Sequence, residues 1–312
     1  MGIRNTLKIL SSNFSLTWKS GLYKLICIAL VLFLGYLLIK PIFSTLQGQD
    51  LIGEAMALFE GVVSFRGGQV ATAAQHLTDI VNSLVLDSYI FSIITLFILV
   101  FALLPFLFGL SDMAECDVIY SAMSCNTKVK YLASFTSGLK SAIKISAFKL
   151  IFTVPYSLIV FAICYGISNL ITVGGFITYL GVFLIALIGL VSFTFERAFL
   201  GYLHQASVVH NPKLKCVWTR GFVNLLRQFG KNFSMNLVFV IFTFFINAFV
   251  GYFTFGVGLI ITIPASFVLL TILNMLIYCN AYGLNYYVTP YEVIVSKKLD
   301  EQIDLKDMKY LL

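Results

Sequence analysis

Six stretches of the chain stay apolar long enough to cross a hydrocarbon core: 22–43, 89–110, 150–171, 175–195, 237–255 and 258–282. A crossing helix needs about 20 apolar residues at roughly 1.5 Å rise each. No charge falls in the middle third of any stretch, where each Lys, Arg or Asp costs about 2.5–3.5 kcal/mol. The first stretch is expected to remain as a span. Its apolar run exceeds the roughly 7–15 residues of a secretory leader, and no small-x-small cleavage site follows. The turns at Thr172-Val173-Gly174 and near Phe255-Gly256 are very short, which forces the flanking spans into antiparallel hairpins. The pattern predicts an all-α polytopic membrane protein with six transmembrane helices in three hairpins.

Polar and apolar residues alternate at helical spacing between the spans. Within 44–88, LIGEAMALFEGVV and QVATAAQHLTDIVNSLVL carry this periodicity and Arg66-Gly67-Gly68 interrupts it, predicting a helical hairpin over the outer membrane surface. Its role is either a lid or docking surface, or a plain cover for the bundle. Two other stretches resemble each other: NTKVKYLASFTSGLKSAIK (126–144) and NPKLKCVWTRGFVNLLR (211–227). Lys128 and Lys130 fall opposite Lys213 and Lys215, Gly138 opposite Gly221, and Lys144 opposite Arg227. In the second copy Phe222, Leu225, Leu226, Phe229 and Phe233 form an apolar stripe that leaves Arg220, Arg227 and Lys231 beside it. The first copy groups Leu139, Ile143 and Leu150 with Lys140 and Lys144 alongside. Each copy predicts a basic amphipathic helix that follows a glycine turn and feeds a span. The N-terminus, with Ile3, Leu7, Leu10 and Phe14 on one helical face, repeats the plan more loosely. The chain is then one membrane domain built from three units, 1–110, 111–195 and 196–282, with a tail at 283–312.

Composition agrees. Hydrophobic residues make up 59% of the 312 and charged residues only 11%, with mean hydropathy +0.94. Soluble domains average roughly 25% charged. The net charge of +7 is unevenly placed. With the N-terminus inside, nineteen of the 21 Lys and Arg lie inside or at inner span ends, and only Lys40 and Arg66 lie outside. Asp50, Glu54, Glu60, Asp79 and Asp87 share the outer segment. The positive-inside rule then predicts both termini in the cytoplasm. The basic residues are accounted for by anionic headgroups of the inner leaflet, and nucleic acid need not be invoked. None of the six cysteines lies in the outer segment, where a disulfide would persist.

Candidate chemistry is sparse. No HExxH, GxSxG or GxxxxGK[ST] occurs, and His204 and His210 stand six apart, off the i,i+4 spacing of a helical metal pair. His76 and Asp79, at i,i+3, read as a surface pair. Glu196-Arg197 reads as a snorkelling pair at a helix end. No cofactor or metal is expected. Pro105, Pro155 and Pro264 predict kinks, and Asn169, Asn247, Asn274 and Asn280, with Tyr156 and Tyr179, predict hydrogen bonds between helices. In the alternative reading Pro155, Asn169, Asn274 and Pro264 line a substrate cavity.

Six hairpinned spans, with N-x-K-Φ-K turns (NTKVK, NPKLK) ahead of glycine-led basic helices, resemble the membrane domain of bacterial membrane-anchored glycerophosphodiester phosphodiesterases and its stand-alone relatives. The resemblance implies a bacterial cytoplasmic membrane. That family appends a catalytic barrel bearing His and acidic metal ligands. Here 30 residues follow Tyr282, too few for a barrel, so no catalytic residue carries over. The expected protein is a non-enzymatic membrane scaffold or accessory subunit. Its basic residues, Lys128, Lys130, Lys140, Lys144, Lys213, Lys215, Arg220, Arg227 and Lys231, engage anionic phospholipid or a membrane-protein partner. The alternative is a transporter or permease for an apolar or amphipathic substrate.

Overall fold

The computed structural model describes residues 2–43, 46–64, 67–86, 90–125, 127–171, 175–210, 213–223, 229–289 and 292–294. Helices dominate: α1 (Gly2–Ser12), α2 (Phe14–Phe43), α3 (Leu46–Val63), α4 (Gly67–Leu86), α5 (Ile90–Ile98), α6 (Leu104–Cys125), α7 (Tyr131–Ile171), α8 (Gly175–Leu200), α9 (Leu203–Val209), α10 (Leu214–Trp218), α11 (Phe229–Phe253) and α12 (Leu259–Ala281). A π-helical turn, Leu99–Leu103, joins α5 to α6, and another, Thr219–Val223, follows α10. Six helical stretches are long and apolar enough to cross a membrane: Phe14–Leu38, Ile94–Cys125, Tyr131–Ile171, Phe176–Val209, Phe229–Phe253 and Leu259–Ala281.

The chain divides into two compact units. The first is drawn from Met1–Lys24, Phe108–Lys149 and Thr194–Leu312, and α12 is its axis. This helix is apolar on every side, and such a helix is stable only when surrounded; twelve consecutive residues, Val268 to Cys279, are buried. Ile9 of α1, Leu16 of α2, Ile119 and Met123 of α6, and Tyr131 of α7 join Ile272 and Met275 in one core. The N-terminal amphipathic helix therefore packs inside this unit, with Ile9 and Thr6 buried. Asn247 of α11 donates to Ser266 Oγ of α12 at 3.0 Å, an interhelical bond of the kind expected.

Beyond α12 the chain does not run on as a plain tail. Leu284 N–H reaches back to Cys279 O (2.9 Å) and Gly283 N–H to Asn280 O (3.4 Å). These are the two bonds of a Schellman stop, which places Gly283 in the left-handed region at φ 63°. Strands β1 (Tyr286–Thr289) and β2 (Glu292–Ile294) then pair antiparallel, Tyr286 opposite Ile294. Tyr286 and Val288 point into the core by strand alternation. Lys8 of α1 fastens the hairpin through Glu292 at 2.5 Å, which holds the Glu292 carboxyl below its ordinary range.

The second unit comprises Leu25–Leu107 and Leu150–Phe193. Tyr156 of α7 donates to Ser192 O of α8 at 3.2 Å, and Phe97 and Phe101 pack on Phe161 of α7. The predicted helical hairpin is α3 and α4. A Cβ at Gly61 would stand 2.8 Å from Val70 Cγ2, so the absence of a side chain sets their close approach. His76 pairs across the hairpin with Glu54 at 2.9 Å and not along its own helix with Asp79. The partner on the facing helix is nearer than the one three residues on.

Two expectations need correction. Gly138 marks no turn, because α7 runs unbroken from Tyr131 to Ile171. One interior glycine costs a helix only about 1 kcal/mol, less than the long apolar helix around it supplies. Nor does the helix of the second stretch end at 110: residues 111–125 continue it as the larger part of α6, buried from Gly109 to Cys116. In the second basic segment Gly221 sits in a π-helical turn, pressed on α9 with its missing Cβ 3.0 Å from Ala206 Cβ.

Candidate functional site

Residues 24, 112, 115, 149, 196 and 197 stand where apolar runs begin or end. The first unit gathers Lys24, Asp112, Glu115 and Arg197 into one ion-pair network, buried at Lys24, Asp112 and Glu115, with a half-buried Lys149–Glu196 pair beside it. Lys24 Nζ donates to Glu115 Oε1 at 2.6 Å and lies 3.1 Å from Asp112 Oδ1. Arg197 Nη1 is 3.9 Å from Asp112 Oδ2, and Lys149 Nζ pairs with Glu196 Oε1 at 3.0 Å. Lys24 is 4% exposed and Glu115 fully enclosed. Among the described residues three cations, Lys24, Lys149 and Arg197, face three carboxylates, Asp112, Glu115 and Glu196, so the charges balance. That balance is what permits burial, since an unpaired charge costs several kcal/mol of desolvation.

Local sequence builds the geometry. On α6, Ser111, Asp112 and Glu115 share one face through i,i+3 and i,i+4 spacing, as Ser20 and Lys24 do on α2. Glu115 Oε1 accepts from Ser20 and from Ser111 (3.1 Å), while Oε2 accepts from Thr271 of α12 at 3.2 Å. Tyr131 OH meets Ser111 Oγ at 2.8 Å. Both carboxylate oxygens of Glu115 are thus occupied. The Phe267 ring carries the Lys24 ammonium at 5.0 Å on its face and the Arg197 guanidinium at 5.9 Å. Both approaches lie within cation–π range.

Glycines bring the helices close enough for this. A Cβ at Gly21 of α2 would lie 2.8 Å from Pro264 Cβ and 2.9 Å from its Cγ. Pro264, expected as a kink or cavity residue, presents its ring to that glycine. At Gly109 a Cβ would meet the Ser146 side chain and lie 3.7 Å from His204 Nε2. Among the described residues, Ser146 Oγ and His204 Nε2 are buried without a hydrogen-bond partner, and Asp112 Oδ1 has the ion-pair approach of Lys24 alone.

The residues singled out by sequence fall elsewhere. Lys128, Lys130, Lys140, Lys144, Lys213, Lys215 and Lys231 are exposed. Arg227 lies outside the described residues. Arg220 turns to His210, Nη1 to Nδ1 at 2.8 Å, and its carbonyl accepts from Tyr282 OH at 2.6 Å. Pro155 and Asn169 are exposed on α7 in the second unit, and Asn274 is buried and Pro264 half-buried on α12 in the first. A cavity of about 90 Å³ in the first unit is lined by Ser12, Asn13, Thr127, Lys128 and Thr289 among others, and by none of those four. Among the described residues no group of three or more His, Cys, Asp or Glu is placed to hold a metal ion.

Burial and the Arg220 charge push His210 down to about 4. Its folded pKa is thereby depressed below the ordinary 6.5, so its contribution to stability is complete above pH 6.5 and lost as pH falls toward 4. Thermal unfolding in detergent should show this decline, and His210→Gln should flatten it. An equal decline in the variant assigns the effect to other groups.

Sequence reasoning missed the network although it left a signal. Lys24 interrupts the start of the first apolar run, and Asp112 and Glu115 close the second, three residues apart on one helix face. The six apolar helices define the class: this is a multi-pass integral membrane protein. No protein-family model, curated protein or solved structure matches the chain.

Proposed function

We propose that the protein is a non-enzymatic scaffold or accessory subunit of a bacterial cytoplasmic membrane, with both termini cytoplasmic and its exposed lysines holding anionic headgroups. The observation that carries this reading is the length of α7. Its 41 residues rise about 60 Å, twice the roughly 30 Å hydrocarbon core. The uncharged stretch 150–171 alone suffices to cross. The preceding turns, with exposed Lys140 and Lys144 beside exposed Leu132 and Ile143, then stand at and beyond the headgroups. A lysine near an anionic surface contributes about 1 kcal/mol. The charge asymmetry supports the orientation, and the phosphodiesterase-like layout fits the location.

In nanodiscs, phosphatidylglycerol should raise the unfolding temperature above that in phosphatidylcholine, by ligand linkage. A variant with Lys128, Lys130, Lys140 and Lys144 changed to Gln should lose most of that difference. Equal stability of the native protein in both lipids contradicts the proposal. One observation favours a permease instead: beside the ion-paired Asp112, Ser146 Oγ and His204 Nε2 are buried with no hydrogen-bond partner among the described residues, and ionisable groups within spans mark ion pathways. Proteoliposomes whose ion gradients decay no faster with the protein than without it exclude that reading.

A further inference from the structure

The α3–α4 hairpin is two-sided. Among the described side chains of α4, the exposed ones beyond its glycine start are polar: Gln69, Thr72, Gln75, His76 and Asp79. Among the described side chains of α3, the exposed ones are apolar at Ala55, Met56 (64% exposed) and Phe59 (69%), at i,i+1 and i,i+3 spacing, with Gly53 beside them and Glu60 at the edge. The seam between the helices is closed by Gly61 against Val70 and by the Glu54–His76 pair, so the two faces keep a fixed relation. We propose that α3 is a bilayer wedge, with Ala55, Met56 and Phe59 seated at the headgroup–acyl boundary of the adjacent leaflet while α4 faces water.

Chain length argues for lipid as the occupant. From the end of α2 at Phe43 to the start of α3 at Leu46 are three residue steps, and from Leu86 to Ile90 four. Fully extended, these reach only about 11 Å and 14 Å. Both ends of the hairpin are therefore held near the ends of membrane-crossing helices. A helix so tethered, apolar on one face and backed by a polar partner on the other, has the pattern of an interfacial amphipathic helix.

Phe59→Trp and Gln75→Trp, made in the full chain and reconstituted in phosphatidylcholine vesicles, test this. Tryptophan fluorescence is read against the parent, which contains Trp18 and Trp218. The added Trp at 59 should be quenched by brominated acyl chains and shielded from aqueous iodide, and the Trp at 75 should behave oppositely. Met56→Trp serves as a second reporter should Phe59→Trp express poorly. Equal iodide quenching at 59 and 75 overturns the wedge. Shielding at 59 from both iodide and brominated lipid also overturns it, because a protein surface, a second copy or a partner, would then cover the face.

Discussion

Lys24→Met is expected to cost about 3–5 kcal/mol of stability, the penalty of leaving a buried charge uncompensated. Methionine fills nearly the same volume, so the loss is not a cavity effect. The damage falls on Glu115, which keeps its three hydroxyl donors but loses the one close cation it has among the described residues, and on Asp112, left with Arg197 at 3.9 Å. Chemical denaturation in mild detergent, followed by circular dichroism, reads the change. Lys140→Met, at an exposed lysine on α7, should alter stability by less than about 0.5 kcal/mol. Equal small effects at both positions would mean that water reaches Lys24 in the folded protein.

Gly21→Leu should be the second severe change. Already at the β-carbon the side chain meets the Pro264 ring at 2.8 and 2.9 Å, inside any real contact distance. The proline ring cannot rotate away as a flexible side chain would. Overpacking of this kind costs typically about 1–3 kcal/mol. Leucine should exceed that range and alanine fall within it. The effect should also spread, because the α2–α12 approach carries Ser20 and Lys24 to Glu115 and Thr271. A graded loss, Gly to Ala to Leu, in the same denaturation assay supports this contact. An alanine variant as stable as the native chain would place α2 farther from α12.

The spans were legible because hydrophobicity acts over twenty consecutive residues and needs no partner. The α3–α4 hairpin was legible for a similar reason, through periodicity interrupted by Arg66-Gly67-Gly68. The ion network was not. Ser20 and Glu115 are 95 residues apart and Thr271 lies 156 from Glu115, so their meeting is decided by which helix faces which. Lys24 and Glu115 each look like an ordinary charge at a span end. Gly138 misled because a glycine reads alike at a turn and inside a helix, and tertiary packing decides between them. The strand pair at 286–294 was overlooked because YYVTPYEVI is short and follows a helix stop, and its alternation is visible only once Tyr286 and Val288 are seen facing α12. Exposure of the seven described surface lysines followed from their place in polar segments. The half-buried position of Arg220 did not, since His210 and Tyr282 reach it from other elements.

The account rests on Lys24 and Glu115 being a pair excluded from water and dependent on each other. A double-mutant cycle of Lys24→Met, Glu115→Met and the combined variant measures this directly. Each single change should be costly, and the double should recover much of the loss, with a coupling of about 2–3 kcal/mol. Simple additivity, with the double variant losing the sum of the two singles, would contradict it.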